Sequence, residues 1–288
     1  MHVNGSRPPA GTPVEERSRS VFQRMSRQIS RLVKSTEIEN VHKFRTQSRR
    51  VETLVSELGP DNGNRKKLLK LLSKLRKKAG RVRDLDVQIA FLKNLKVPER
   101  NSHRAQLLSS LTDEQARRSK KLEKGLDSET INELRKRLRR VNSEMQLGDV
   151  DPLKLAYKRL PDPGAGPLNE KMLHACRIEA KRARYLAELA PESDESKLFV
   201  EELKRAQDAI GEWHDVLKLK EAAEQQFGGV HDSALVAALQ NISRARFRTA
   251  VTALFSALSA VTRHKEDPSE TPQRKAPAAE IAQRAAVA

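Results

Sequence analysis

The stretch VHKFRTQSRRVETLVSEL (residues 41–58) separates basic from apolar side chains with helical spacing. At about 100° per residue, Phe44, Val51 and Leu54 fall on one side of such a helix. The opposite side carries four bases: His42, Arg45, Arg49 and Arg50. The pattern predicts a helix that buries one face and presents cations on the other.

A second stretch, LHACRIEAKRARYLAELA (residues 173–190), repeats this arrangement about 132 positions later. The corresponding bases are His174, Arg177, Lys181 and Arg182, with Arg184 at the edge of the same face. Gly80 and Asp84 in AGRVRDLDV correspond in the same way to Gly211 and Asp215 in IGEWHDVLK, at an offset of 131. Two similarities in one order and at one spacing indicate an internal repeat.

The composition favours a polyanionic partner. The chain has 288 residues, with 56 Lys and Arg against 38 Asp and Glu, a formal net charge of +18. Such an excess attracts nucleic acid, anionic surfaces or phosphate polymers. The single cysteine, Cys176, excludes a disulfide framework within one chain, and no apolar run reaches the roughly 20 residues of a membrane span. We expect a cytoplasmic protein with no membrane partner.

Apolar residues recur every three or four positions nearly throughout, so the sequence predicts an all-α fold. Helix signals, which include capping residues at Thr12 and Asp127, divide it into two sets of four helices. Residues 13–125 form the first repeat and residues 126–264 the second. Residues 1–12 and 265–288 lack this periodicity, and we expect both segments to be disordered.

The bases on the repeated helices do not alternate with acids, as an ordinary solvated face would. Such a face remains the alternative, but repulsion at matched positions in two copies favours a bound anion. The third predicted helix adds a cationic line that we call the α3 stripe: Lys67, Lys70, Lys74, Lys77 and Arg81. His42 and His174 lie among cations without further ligands nearby, so contact with phosphate is favoured over metal binding.

These residues resemble the CHAD family, the conserved histidine α-helical domain. VHKFRTQSRR and LHACRIEAKRARY are similar to its His-x-x-Arg motif, and GRVRDLDV is similar to its Arg-Asp-x-Asp-Val motif. The resemblance implies two four-helix bundles related by a pseudo-two-fold axis. It also implies binding of inorganic polyphosphate in a central basic cleft, and recruitment to polyphosphate granules.

From the residues and the resemblance together we predict a non-catalytic polyphosphate-binding protein that needs no cofactor and no metal. The predicted contacts are the α3 stripe and His42, Arg45, Arg49, Arg50, Arg83, His174, Arg177, Lys181, Arg182 and Arg184. Three alternatives remain open. One is nucleic-acid binding, which a protein of this charge shows non-specifically at low salt. The second is an enzyme acting on polyphosphate, whose metal would need Asp84, Asp86 and Asp215. The third is a granule or assembly adaptor whose tail recruits another protein.

Overall fold

The computed structural model describes residues 12–96, 102–164 and 166–266, and every regular element in these ranges is an α-helix. The predicted all-α fold is therefore confirmed. The helices are α1 (Pro13–Lys34), α2 (Ile38–Leu58), α3 (Gly63–Asn94), α4 (His103–Glu123), α5 (Ser128–Glu144), α6 (Pro152–Lys158), α7 (Glu170–Ala187), α8 (Asp194–Phe227) and α9 (Ala234–Glu266).

Side-chain caps start several of these helices where the sequence predicts them. Thr12 and Glu15 form a reciprocal capping box, in which Thr12 Oγ1 accepts from the Glu15 amide at 3.3 Å and Glu15 Oε2 accepts from the Thr12 amide at 2.9 Å. Asp127 accepts from the Thr130 amide at 2.7 Å and starts α5. Such caps satisfy backbone N–H groups that have no partner within the helix.

A first hydrophobic core lies between α1, α2, α3 and α5. Phe44 and Val51 of α2 pack there with Met25, Leu72 and Leu134, and all five are almost completely buried. Each such side chain contributes about 1.5–3 kcal/mol to folding. The first repeat was predicted to end at residue 125, and α5 begins after that boundary. Because α5 packs into this core, the core contains residues from both predicted repeats.

The rest of the chain forms three further clusters. The start of α7 packs with α8 and α9 around Trp213, and the end of α7 packs with α6 and α8 around Phe199. The last cluster brings Leu92 of α3 and Leu107 of α4 against Leu219 of α8 and the start of α9. This cluster connects the two parts of the chain, and the pseudo-two-fold relation between them stays a prediction.

The division of cores places the two basic helices side by side. Helix α2 turns its apolar face to the first core, whereas α7 turns its own to the clusters around Trp213 and Phe199. The two helices contact each other, and α3 contacts α8 beside them. The basic faces of α2 and α7 therefore meet between the cores.

The segments predicted to be disordered fall mostly outside the described residues. Thr12 caps α1, and α9 continues to Glu266. The remainder of segments 1–12 and 265–288 lies beyond the described ranges. Nowhere within those ranges is a helix both long and apolar enough to cross a lipid bilayer.

Candidate anion-binding site

Two adjoining cavities lie where the basic faces of α2 and α7 meet. The α2 cavity, of about 590 Å³, is lined by five consecutive positions of the first motif face: His42, Arg45, Thr46, Arg49 and Arg50. The α7 cavity, of about 410 Å³, is lined by the corresponding positions of the second motif: His174, Arg177, Ile178, Lys181 and Arg182. Both volumes are typical of small-molecule sites.

Three cations form a wall that the two cavities share. Arg49, Arg177 and Lys181 line both, together with the ring of Tyr185. Among the described residues, none of the three cations makes an ion pair, and the buried Nε of Arg177 has no hydrogen-bond partner. A half-buried cluster of basic side chains without ion-pair partners is a site that an anion would stabilise.

Burial and mutual repulsion lower the pKa values of the three basic side chains in the shared wall. Burial, followed by the charges of Arg45 and Arg76, lowers the pKa of Arg49 to about 10. Burial, followed by the charges of Arg177 and Arg49, lowers the pKa of Lys181 to about 6. Burial also lowers the pKa of Arg177, although the nearby Asp215 partly offsets this. An anion in either cavity would reverse these shifts.

Other predicted contacts are already engaged by carboxylates. Arg50 donates two hydrogen bonds to Glu188, at 2.6 and 3.2 Å, and Arg184 donates to the same carboxylate at 2.9 Å. Both guanidinium groups also lie against the ring of Tyr185, at 5.3 and 4.8 Å from its centroid. Arg182 pairs with Glu179 at 2.8 Å on a more exposed surface. These arginines line the cavities with part of their charge neutralised.

Two aspartates lie beside the shared wall, one from each repeat. Asp84 of α3 pairs with Arg45 at 3.1 Å, so it orients an arginine of the neighbouring helix. Asp215 of α8 lines the α2 cavity, and its burial raises its pKa, a shift that the charge of Arg177 opposes. The negative charge of Asp84 raises it further, which shows that the two carboxylates face the same region.

Of the two motif histidines, His42 lines the α2 cavity and His174 lines the α7 cavity. Partial burial and the nearby Arg83 lower the pKa of His42, and burial followed by Arg177 lowers that of His174. A third histidine, His214 of α8, has its ring centroid 5.1 Å from that of His174. Its buried Nδ1 has no hydrogen-bond partner, and burial lowers its pKa to about 3. Neutral imidazole can still donate one hydrogen bond to a phosphate oxygen.

The α3 stripe lies elsewhere. Its five cations are exposed and line neither cavity. Lys74 adds to the hydrogen bonds from Thr130 that lower the pKa of Asp127, which places this part of the stripe near the start of α5. The residue of α3 that does line the α2 cavity is the predicted Arg83, together with Val87.

Several residues at the site were not predicted from the sequence, among them Arg76, Tyr185 and His214. Arg76 lines the α7 cavity and pairs with Glu52 at 2.6 Å. A helical wheel centred on the cavity-lining Arg83 would have included Arg76, because the two lie seven positions apart. His214 could have been predicted from the sequence, because it directly precedes Asp215, which the internal repeat had already singled out.

Glycine leaves room at the floor of the α2 cavity. A Cβ atom at Gly211 would meet nothing within 4 Å, and one at Gly80 would meet only Arg45 Nε, at 3.9 Å. Neither glycine is therefore packed tightly against a neighbouring helix. Gly211 instead lines open space beside Asp208 and Glu212.

The fold and the cavities define an all-helical protein with a cationic cleft between two cores. A family model, the CHAD domain, matches residues 17–224. Because this match spans well over half of the sequence, the chain belongs to the CHAD domain family.

Two solved structures share the fold. The crystal structure of the CHAD domain from the plant Ricinus communis is 16% identical, with a TM-score of 0.63, covering 87% of this chain and 90% of that chain. PptA from Streptomyces chartreusis is 15% identical, with a TM-score of 0.59, covering 90% of this chain and 100% of that chain. Identities this low show a shared fold alone. No curated protein matches the sequence.

Proposed function

We propose that this protein binds inorganic polyphosphate in the cleft formed by the two cavities and does not transform it. The observation that carries the proposal is the shared wall of Arg49, Arg177 and Lys181, three half-buried basic side chains without an ion-pair partner among the described residues. A linear polyanion that crosses this wall would bring one phosphate after another to the same three side chains.

The side chains suit a chain of phosphates. Arginine binds two non-bridging oxygens with its planar fork, whereas lysine acts as a point charge. Arg49 and Arg177 would hold the centre of the bound chain, with His42 and His174 donating hydrogen bonds at either side. The α2 face from His42 to Ser56 is about 21 Å long at 1.5 Å per residue, so it contacts several phosphates.

The carboxylates support binding without turnover. Asp84 is held by Arg45, and the buried Asp86, which lines neither cavity, accepts a hydrogen bond from Gln115 of α4 at 3.0 Å. Asp84 and Asp86, which the alternative of a metal-dependent enzyme requires beside Asp215, are therefore engaged elsewhere. We expect purified protein to release no orthophosphate from polyphosphate with Mg²⁺ or Mn²⁺, and metal-dependent release that Asp215→Asn abolishes would contradict the proposal.

Nucleic acid is the competing polyanion. Bases held without sequence preference normally stack on aromatic side chains, and Tyr185 is the one Phe, Tyr or Trp residue that lines either cavity in the described part of the chain. Tyr185 is 6% exposed, so its ring offers no stacking platform. Single-stranded and duplex DNA should therefore bind only through charge, and binding should disappear near physiological salt.

The decisive test compares two double variants with the same loss of charge. Arg49→Gln with Arg177→Gln removes two cations of the shared wall, whereas Arg139→Gln with Arg140→Gln removes two exposed cations of α5. Each charged hydrogen bond contributes about 1.5–3 kcal/mol, so the first variant should weaken polyphosphate binding by about a hundredfold or more. The second should change it by a few-fold. Equal losses in both variants would reduce the cleft to an ordinary solvated surface.

The proposal extends to the cell. A cytoplasmic protein with this cleft should collect on polyphosphate granules, because each granule presents the ligand at high density. A fluorescent fusion of the wild type should concentrate there, and the Arg49→Gln and Arg177→Gln variant should stay diffuse. Granule association that survives this variant would assign recruitment to another part of the chain.

A further inference from the structure

Lys181 is surrounded by cations. Arg177 and Arg184 flank it on α7, and Arg49 and Arg45 approach it from α2. Among the described residues its ammonium group has no salt-bridge partner, although it lines both cavities. A flexible lysine in this position is a group that can lose its charge, which arginine cannot.

Several carboxylates that line or border the two cavities are engaged by other cations. On α2, Glu52 pairs with Arg76 and Glu57 pairs with Arg159. On α3, Asp84 pairs with Arg45. On α8, Glu212 pairs with Arg246. The nearby acids therefore give Lys181 little counter-charge.

Two further groups of α8 complete the surroundings. Asp215 interacts more strongly with Arg177 than with Lys181, and Asp208 lines the α2 cavity from an exposed position. On α7 and α8, His174 and His214 add no negative charge, and burial keeps both neutral at neutral pH. In the ligand-free protein, burial and then repulsion by Arg177 and Arg49 lower the pKa of Lys181 to about 6.

We propose that binding of polyphosphate is coupled to the uptake of one proton by Lys181, so that the cleft binds its ligand more tightly as the pH falls. A polyanion that crosses the shared wall places negative charge beside the Lys181 amine, which the protein itself does not do. The amine then becomes an ammonium group that donates to phosphate oxygens. This inference rests on the proposed function.

The sign of the effect follows from linkage. Above about pH 6 the free protein holds Lys181 largely neutral, whereas the complex holds it charged up to a higher pH. In that window one proton binds with each ligand, so the association constant falls by up to about tenfold for each unit rise in pH. Below about pH 6 both states are charged, and this dependence disappears.

Calorimetry near pH 8 tests the coupling, because the histidines and the terminal phosphates of a long chain are then deprotonated. Long-chain polyphosphate is titrated into the wild type in two buffers of different ionisation enthalpy. The binding enthalpies should differ by nearly the full difference between the buffers, which corresponds to about one proton. The variant Lys181→Arg should bind with the same enthalpy in both buffers.

Lys197→Arg is the matched control, because Lys197 is exposed and already pairs with Glu192 at 2.9 Å. It should take up the same proton as the wild type. Binding by all three proteins with no buffer dependence would overturn the coupling and leave the proposed function intact. Absence of binding in the wild type would overturn both. An equal proton uptake in Lys181→Arg and the wild type would assign the proton to another group.

Discussion

Arg50 Nε lies 2.6 Å from Glu188 Oε2, and this ion pair joins the middle of α2 to the C-terminal end of α7. A second hydrogen bond of 3.2 Å makes the contact bidentate. Because Arg184 donates to the same carboxylate, Glu188 neutralises one cation from each basic helix. The contact stabilises the arrangement of the cleft and reduces the positive charge that the cleft offers.

Replacing this carboxylate should therefore have opposite effects on stability and on binding. In Glu188→Gln, two arginines lose their anionic partner, which should lower the free energy of unfolding by about 1–3 kcal/mol. The same two cations become available to a polyanion, so polyphosphate affinity should rise. Urea denaturation and a binding titration at fixed salt measure the two quantities. Glu114→Gln removes a carboxylate shared by Arg117 and Arg118 on α4 and should leave affinity unchanged.

The shape of the cleft can be tested without a change in charge. Gly211→Leu places a large side chain in the open space of the α2 cavity and also removes a mid-helix glycine, which favours the helix by up to about 1 kcal/mol. We expect a folded protein with much weaker polyphosphate binding. Gly63→Leu, at the exposed start of α3, also meets nothing and should bind normally. Unaltered affinity in Gly211→Leu would mean that the ligand does not enter this cavity.

The α3 stripe should contribute only long-range attraction. Lys70→Gln with Lys74→Gln removes two exposed cations that line neither cavity, so affinity should fall by a few-fold at low salt. Near physiological salt the difference from the wild type should largely vanish, since the Debye length is about 8 Å. Polyphosphate titrations of the variant and the wild type at these two salt concentrations measure the difference in affinity. A loss comparable to that of the Arg49 and Arg177 variant would restore the stripe to the site.

Lys181 should destabilise the ligand-free fold. Its pKa is about 6 in the folded protein and 10.5 as the ordinary value, so between these pH values the unfolded state binds more protons. The wild type therefore gains stability as the pH rises through this window. Lys181→Met should be more stable than the wild type near pH 7, with an advantage that shrinks toward pH 10. Thermal denaturation across this range measures the difference, and an advantage independent of pH would argue that Lys181 is charged throughout.

Much of the fold follows from local signals. Apolar spacing predicted the helices, and the caps at Thr12 and Asp127 predicted where two of them begin. The ends were less predictable: α7 stops at Ala187, although the periodicity continues to Ala190. Packing at a distance was not predictable, as with α5, whose apolar face joins the core of α1–α3.

The candidate site was likewise predictable from local spacing and unpredictable where distant packing decides. The helical wheel put His42, Arg45 and Arg49 on one face, and the structure brings that face against the matching face of α7. Helix α3 has two polar faces, however, and only its packing decides which one borders the cleft. The more basic face, the stripe, borders α5, whereas the face with Arg76 and Arg83 lines the cavities. Whether these residues bind polyphosphate stays a prediction.

If the cleft binds polyphosphate as proposed, the shared wall of Arg49, Arg177 and Lys181 has a consequence for how the polymer is held. Polyphosphate is made of identical units, so a chain that crosses the wall can shift by one unit and recover every contact. The complex then has as many equivalent registers as the chain length allows, and each adds to the entropy of the bound state. Such a protein would hold its ligand firmly sideways while letting it slide lengthwise.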